Sequence, residues 1–370
     1  MNRYSLPGLV DCHSHAFHRA LRGRATGGDF WAWRNEMYSL AAKLDPDSLL
    51  ALATAAFGEM VLAGITTVHE FHYLHQPDGM DDAICEAARR AGIRLVLLDV
   101  CYLRAGFDGG ALDPVQARFS DGDVDRWAAR ASKVAAANPD VTVGAAIHSV
   151  RAVDPSSMAN VARWAREREV PLHLHLSEQP AENDACLAAT GMTPTQLVHE
   201  SDVLGPRTTA VHCTHVSAQD IVLLGATNTT VCLCPTTERD LADGVGPAAA
   251  LAAAGSPLRV GSDSHAVVDL FEEARAIELD ERLVTGQRGL HAPHRLLATI
   301  TGDDDQITID LDSVRLAGAD IDDPIPMIVA AATASDVVDV DINGRAVVRD
   351  GAHVSIDVAA ELRSAIAAVT

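Results

Sequence analysis

Along the chain, short runs of apolar, β-rich residues alternate with longer stretches of helical periodicity. The short runs are Leu9–His15, Ile65–Tyr73, Arg94–Tyr102, Val141–Val150, Val170–Glu178, Thr208–Val216, Thr229–Glu238 and Leu258–His265. Between them, Asp45–Ala63, Met80–Ala91 and Val124–Ala137 carry amphipathic or alanine-rich helical patterns. Strands that are apolar nearly throughout and alternate with helices are buried on both faces and run parallel. Eight such units predict an α/β fold, a closed (β/α)8 TIM barrel over residues 6–300. An open doubly wound sheet is the rival. It would bind its ligand at one switch point, and the chain holds no glycine fingerprint for that.

Beyond Thr299 the pattern changes. Residues 303–323 hold eight Asp and read as a solvated acidic face. Asp336–Ile356 contains two alternating strands, with turn signals at Asn343-Gly344 and Asp350-Gly351. Val358–Val369 reads as a final helix. Residues 301–370 therefore predict a small C-terminal β appendage. Because the first barrel strand begins about eight residues into the chain, Asp336–Ile356 has no evident partner, and the appendage reads as reduced.

Composition narrows the function. Of 370 residues, 48% are apolar, enough to fill a large core. The longest apolar run, around Ala248–Ala254, is far short of the roughly 18 residues that span a membrane. The N-terminal segment shows no apolar secretion core. Net charge is −22, and Lys43 and Lys133 are the only lysines. An acidic body without a basic run argues against nucleic acid and anionic membranes. Seven cysteines, an odd number without a CxxC pair, fit a reducing cytoplasm. Cys232 and Cys234 alternate along an apolar strand and read as core packing.

In such barrels the reactive groups sit at the C-terminal ends of the strands. The first run ends Asp11-Cys12-His13-Ser14-His15, the fifth His173-Leu174-His175-Leu176-Ser177-Glu178, the sixth His212-Cys213-Thr214-His215, and the eighth Gly261-Ser262-Asp263-Ser264-His265. A lone histidine is usually a satisfied polar group. Imidazoles and carboxylates at four strand ends of one rim predict a metal site. Nitrogen and oxygen donors without thiolate suit Zn²⁺, with Fe²⁺ or Mn²⁺ admissible, and three or four protein ligands with an open position describe a catalytic site.

HxH on the first strand, His on the fifth and sixth and Asp on the eighth resemble the amidohydrolase superfamily. Within it, the blocks HSHAFHRALRG, DFWAWRNEMY, HEFHYLH, HSVRAV, HLSEQPAE, VHCTH, CPTTERDLADG and GSDSHAVVDLFEEAR resemble the formimidoylglutamate deiminase family. The resemblance implies His13, His15, His175 and Asp263 as metal ligands, Glu178 as proton shuttle, His212 as the group orienting the attacking water, and Asp263 as acceptor of its proton. It implies hydrolysis of the formimino C=N of N-formimino-L-glutamate, giving N-formyl-L-glutamate and ammonia, a step of histidine degradation. Tyr73, His148 and Arg151 would hold one substrate carboxylate and Arg34 the other, in keeping with the bidentate fork that guanidinium offers a carboxylate. Trp31 and Trp33 would shape a dry lid. His173 shares a strand face with His175 one layer deeper and reads as a core group. The Lys that bridges two metals in binuclear relatives is missing from the fourth strand, so one Zn²⁺ per chain is expected. Many relatives carry Gln where this chain has His18. A homodimer is the assembly the resemblance suggests. A deaminase of a nucleobase or nucleoside, such as guanine, cytosine or an adenosine derivative, is the alternative reading. A barrel that had lost its chemistry would lack ligands, and none is missing here.

Overall fold

Eight parallel strands close on themselves: β1 (Arg3–Ser14), β2 (Ile65–His72), β3 (Arg94–Cys101), β4 (Thr142–Ile147), β5 (Leu172–Leu176), β6 (Thr208–His212), β7 (Thr230–Leu233) and β8 (Leu258–Val260). This computed structural model describes residues 2–370, apart from the side chains of Asp303 and Asp304. Neighbouring strands pair in chain order from β1 to β8. The ring shuts where β8 returns to β1: Asp263 N donates to His13 O at 2.9 Å, and His15 N donates to Asp263 O at 3.0 Å. That closure needs Gly261, because a Cβ there would lie 2.5 Å from His13 O. The bond that shuts the barrel thus also brings the HxH segment against Asp263.

The helices form the outer layer for reasons legible in their ends. Asp45 caps Pro46–Leu62 in a capping box with Ser48, and Asp123 and Asp154 cap Val124–Ala137 and Pro155–Arg168 through their side-chain oxygens. Their buried stripes, such as Trp127, Ala131 and Val134, face the strands. All eight predicted barrel strands are present.

Four further strands continue the sheet beyond β1: β9 (Thr301–Asp310), β10 (Val337–Ile342), β11 (Arg345–Arg349) and β12 (Ala352–His353). The appendage is not without a partner, as the sequence reading had it. The first half of β1 runs antiparallel to β9, with Arg3 opposite Asp310 and Pro7 opposite Gln306. One twelve-residue strand thus serves the appendage with its start and the barrel with its end. The predicted turns occur as expected, Asn343-Gly344 and Asp350-Gly351 all having φ between 47° and 74°. The acidic stretch is only partly a solvated face. Its first third is β9, where Ile307 and Ile309 are buried and the Asp305 carboxylate pairs with Arg94.

Between the barrel and the outer helices, Arg130 binds three carboxylates: Asp81 at 3.1 Å, Asp99 at 2.8 Å and Asp121 at 2.7 Å. Breaking a buried ion pair leaves an uncompensated charge, at a cost of about 3–5 kcal/mol. Arg130→Met is therefore expected to lower the urea unfolding midpoint by that equivalent, and an unchanged midpoint would show that water already solvates these carboxylates. Among the described residues, no helix is long and apolar enough to cross a membrane.

Candidate metal centre and its pocket

The predicted ligands meet at the top of the barrel. His13 Nε2 and His15 Nε2 each stand 3.4 Å from Asp263 Oδ1, and His175 Nε2 stands 3.1 Å from His13 Nε2. Atoms bound at about 2.0–2.1 Å to one tetrahedral ion lie about 3.3–3.4 Å apart, so the spacing is that of a shared ion. The outer nitrogens support this. His15 Nδ1 donates to Phe71 O and His175 Nδ1 to His148 O, both at 3.0 Å. Those bonds fix the tautomer that turns each Nε2 lone pair to the common point. Burial pushes His13, His15 and His175 below the usual imidazole range, which keeps them neutral and able to ligate. Burial raises the Asp263 carboxyl, but hydrogen bonding and charge from His13, with His212 and His18, bring it down to about 2, so it is ionised. Three imidazoles and one carboxylate converging in this way fit a divalent cation.

Glu178 and His212 stand beside the cluster. His212 Nε2 lies 3.7 Å from Glu178 Oε1 and 3.9 Å from Asp263 Oδ2, while its Nδ1 faces Glu238 Oε1 at 3.4 Å. Burial pushes Glu178 above the ordinary carboxylate range. Its placement rests on backbone strain. Ser177, His212, Cys213, Asp263 and His265 all have φ between 44° and 71°, a region costly for such residues and typical of functional sites. Ser177 takes this conformation between the end of β5 and Glu178, whose carboxylate faces His212.

One pocket is lined by His15, His175, Asp263, Glu178 and His212 together with Arg34, Tyr73, His148 and Arg151. His13, fully buried, is held against the lining ligands His175 and Asp263. Both arginines bear on one point. Burial, then the charges of Arg151 and Arg34, hold His148 well below its ordinary value. Arg34 lies on the helix Phe30–Ala41, with its guanidinium 4.5 Å from the Trp31 ring and 5.3 Å from Tyr38, and its buried Nε has no partner. Arg151 Nη1 donates to Ala105 O at 3.4 Å, and the guanidinium also meets the Tyr102 hydroxyl and the charge of Glu182, which leaves part of its fork unused. Donors on both forks therefore remain for a ligand. Tyr73 Oη contacts His18 Nε2 at 2.8 Å. His18 thus fills a polar contact at the pocket wall.

Several groups escaped the sequence reading. Glu70 accepts from Ser14 Oγ and Ala16 N, each at 2.7 Å, and so fixes the loop after His13. Asp11 accepts from Ser262 N at 3.1 Å and His13 N at 3.2 Å, tying both ligand-bearing segments together. Glu238 steadies His212, and Glu182 joins the pocket wall beside Arg151. Only Asp11 had a signal, its place two residues before HxH.

The amidohydrolase family model matches residues 4–302, and the chain belongs to that family. It is a metal-dependent hydrolase acting on C–N bonds. Formimidoylglutamate deiminase of Pseudomonas aeruginosa is 34% identical, over 98% of this chain and 88% of that protein. Among solved structures, an amidohydrolase from Brucella melitensis is 28% identical with a TM-score of 0.90, covering 99% of this chain and 89% of that one. An adenosine deaminase from Xanthomonas campestris with bound zinc, 24% identical with a TM-score of 0.85 over 98% of this chain and 84% of that one, shares the fold.

Proposed function

We propose that this enzyme hydrolyses the formimino C=N bond of N-formimino-L-glutamate to N-formyl-L-glutamate and ammonia, with one Zn²⁺ held by His13, His15, His175 and Asp263. The observation that carries the substrate choice is that Arg34 and Arg151 line the same pocket as the ligand cluster. A net-acidic protein that binds a dicarboxylate needs such local cations, and two guanidinium forks match its two carboxylates. The relative from Pseudomonas aeruginosa supports the same choice.

A divalent ion in this cluster supplies Lewis acidity and a nucleophile at neutral pH. The chain's own groups do the rest. Arg34 grips one carboxylate, and Arg151 with His148 and Tyr73 the other, which points the cationic formimino group at the ligand cluster. Asp263 accepts the proton of the attacking water while His212 orients that water. Glu178, kept protonated by burial, donates to the imino nitrogen as water adds to the carbon. The C–N bond then breaks, the nitrogen leaves as ammonia, the hydroxyl proton returns to the Glu178 carboxylate as the formyl carbonyl forms, and Asp263 gives up its proton to solvent. Trp31 and Trp33 line the mouth and exclude bulk water.

Ammonia release tests the reading. Zinc-loaded protein should release it from N-formimino-L-glutamate and not from guanine, cytosine or adenosine. Turnover of a base instead would favour a nucleobase or nucleoside deaminase, for which the aromatic wall of Trp31, Tyr38 and Phe119 would be the stacking surface. Removal of the ion by a chelator should abolish turnover, and Zn²⁺ should restore it.

A further inference from the structure

Beneath the catalytic cluster lies a second group of donors that the reaction does not use. Cys12, His69 and His173 place one donor atom each within 4.8 Å of one another. His69 Nδ1 stands 3.4 Å from His173 Nε2, the spacing of two nitrogens on one tetrahedral ion at about 2.0–2.1 Å. His173 Nδ1 is buried and has no partner, so no carbonyl or carboxylate fixes which of its ring nitrogens faces the group. Cys12 shares a small buried cluster with Val211, Cys232 and Cys234, and its thiol is hydrogen-bonded to the Cys232 sulfur, the nearest source of a second thiolate. Both cysteines are free.

We propose that this layer is a second metal site of Cys₂His₂ type, formed by Cys12, His69, His173 and Cys232 and taking Zn²⁺. Sulfur and imidazole donors select borderline-soft ions, and four protein ligands with no open position make a structural site. On binding, each thiol loses its proton to solvent, and two thiolates cancel the charge of the ion, so no net charge is buried. The site joins β1, β2, β5 and β7 across the barrel interior, one layer below the catalytic ion and chemically distinct from it.

The competing state is an imidazole–imidazole hydrogen bond beside two inert thiols. Metal analysis of the full-length protein, purified without chelator and reloaded with Zn²⁺, should give two ions per chain. Reloaded with Co²⁺, the wild-type protein should show a near-ultraviolet thiolate-to-cobalt charge-transfer band, which histidine and aspartate ligands do not produce. Asp263→Ala should lose one ion and keep the band. Cys12→Ala and His69→Phe should lose the band and hold a single ion. One ion per chain and no band in the wild-type protein would overturn the proposal, and that result needs no variant to fold. A band that survives in the double variant Cys12→Ala/Cys232→Ala would place the sulfur ligand at Cys234 beside the catalytic cluster and overturn it equally.

Discussion

Glu178→Gln is expected to keep its metal and lose roughly 10²–10⁴-fold in kcat, the usual worth of a positioned acid or base. Glutamine has nearly the same shape, so the pocket should hold. It cannot deliver a proton to the nitrogen that leaves as ammonia. Glu178 is not one of the four proposed ligands, and its Oε1 faces His212 Nε2 at 3.7 Å, so metal content should stay at the wild-type level. Metal analysis and initial rates on one preparation check both halves. Near-normal kcat would remove Glu178 from the proton transfer, and a loss of metal would recast it as a ligand.

The second large effect falls on substrate binding. Arg151→Met should lower kcat/KM for N-formimino-L-glutamate by about 30- to 4,000-fold, equivalent to the about 2–5 kcal/mol lost when one partner of a buried charged hydrogen bond is truncated. Because the proposed contact of Arg151 is to a substrate carboxylate and not to the reacting carbon, the loss should appear mainly as a rise in KM. Arg34→Met should behave in the same way. If each variant binds substrate normally while the fold is intact, the dicarboxylate grip is wrong, although the metal chemistry would stand.

The barrel was legible because its strands are short, apolar and regularly spaced, and because each reactive group sits at a strand's end. His13 on β1, His15 just after it, Asp263 after β8 and Glu178 after β5 could be assigned to one rim by counting alone. The partner of the C-terminal strands was not legible. Arg3–Pro7 looks too short to be a strand by itself, and only its continuity with Leu9–Ser14 makes it one. Glu70, Glu182 and Glu238 were missed for a related reason. Each lies far in sequence from the group it serves, so no motif spacing reveals it. The role of Glu70 arises from burial beside the Ser14 hydroxyl and the Ala16 amide, which is a property of the folded chain.

The most direct measurement is a crystal structure of the zinc-loaded enzyme with its product, N-formyl-L-glutamate. It should show zinc bound by His13, His15, His175 and Asp263 at about 2.0–2.2 Å, with one product carboxylate on Arg34 and the other on Arg151. Zinc at other residues, or a product whose carboxylates touch neither arginine, would contradict the account.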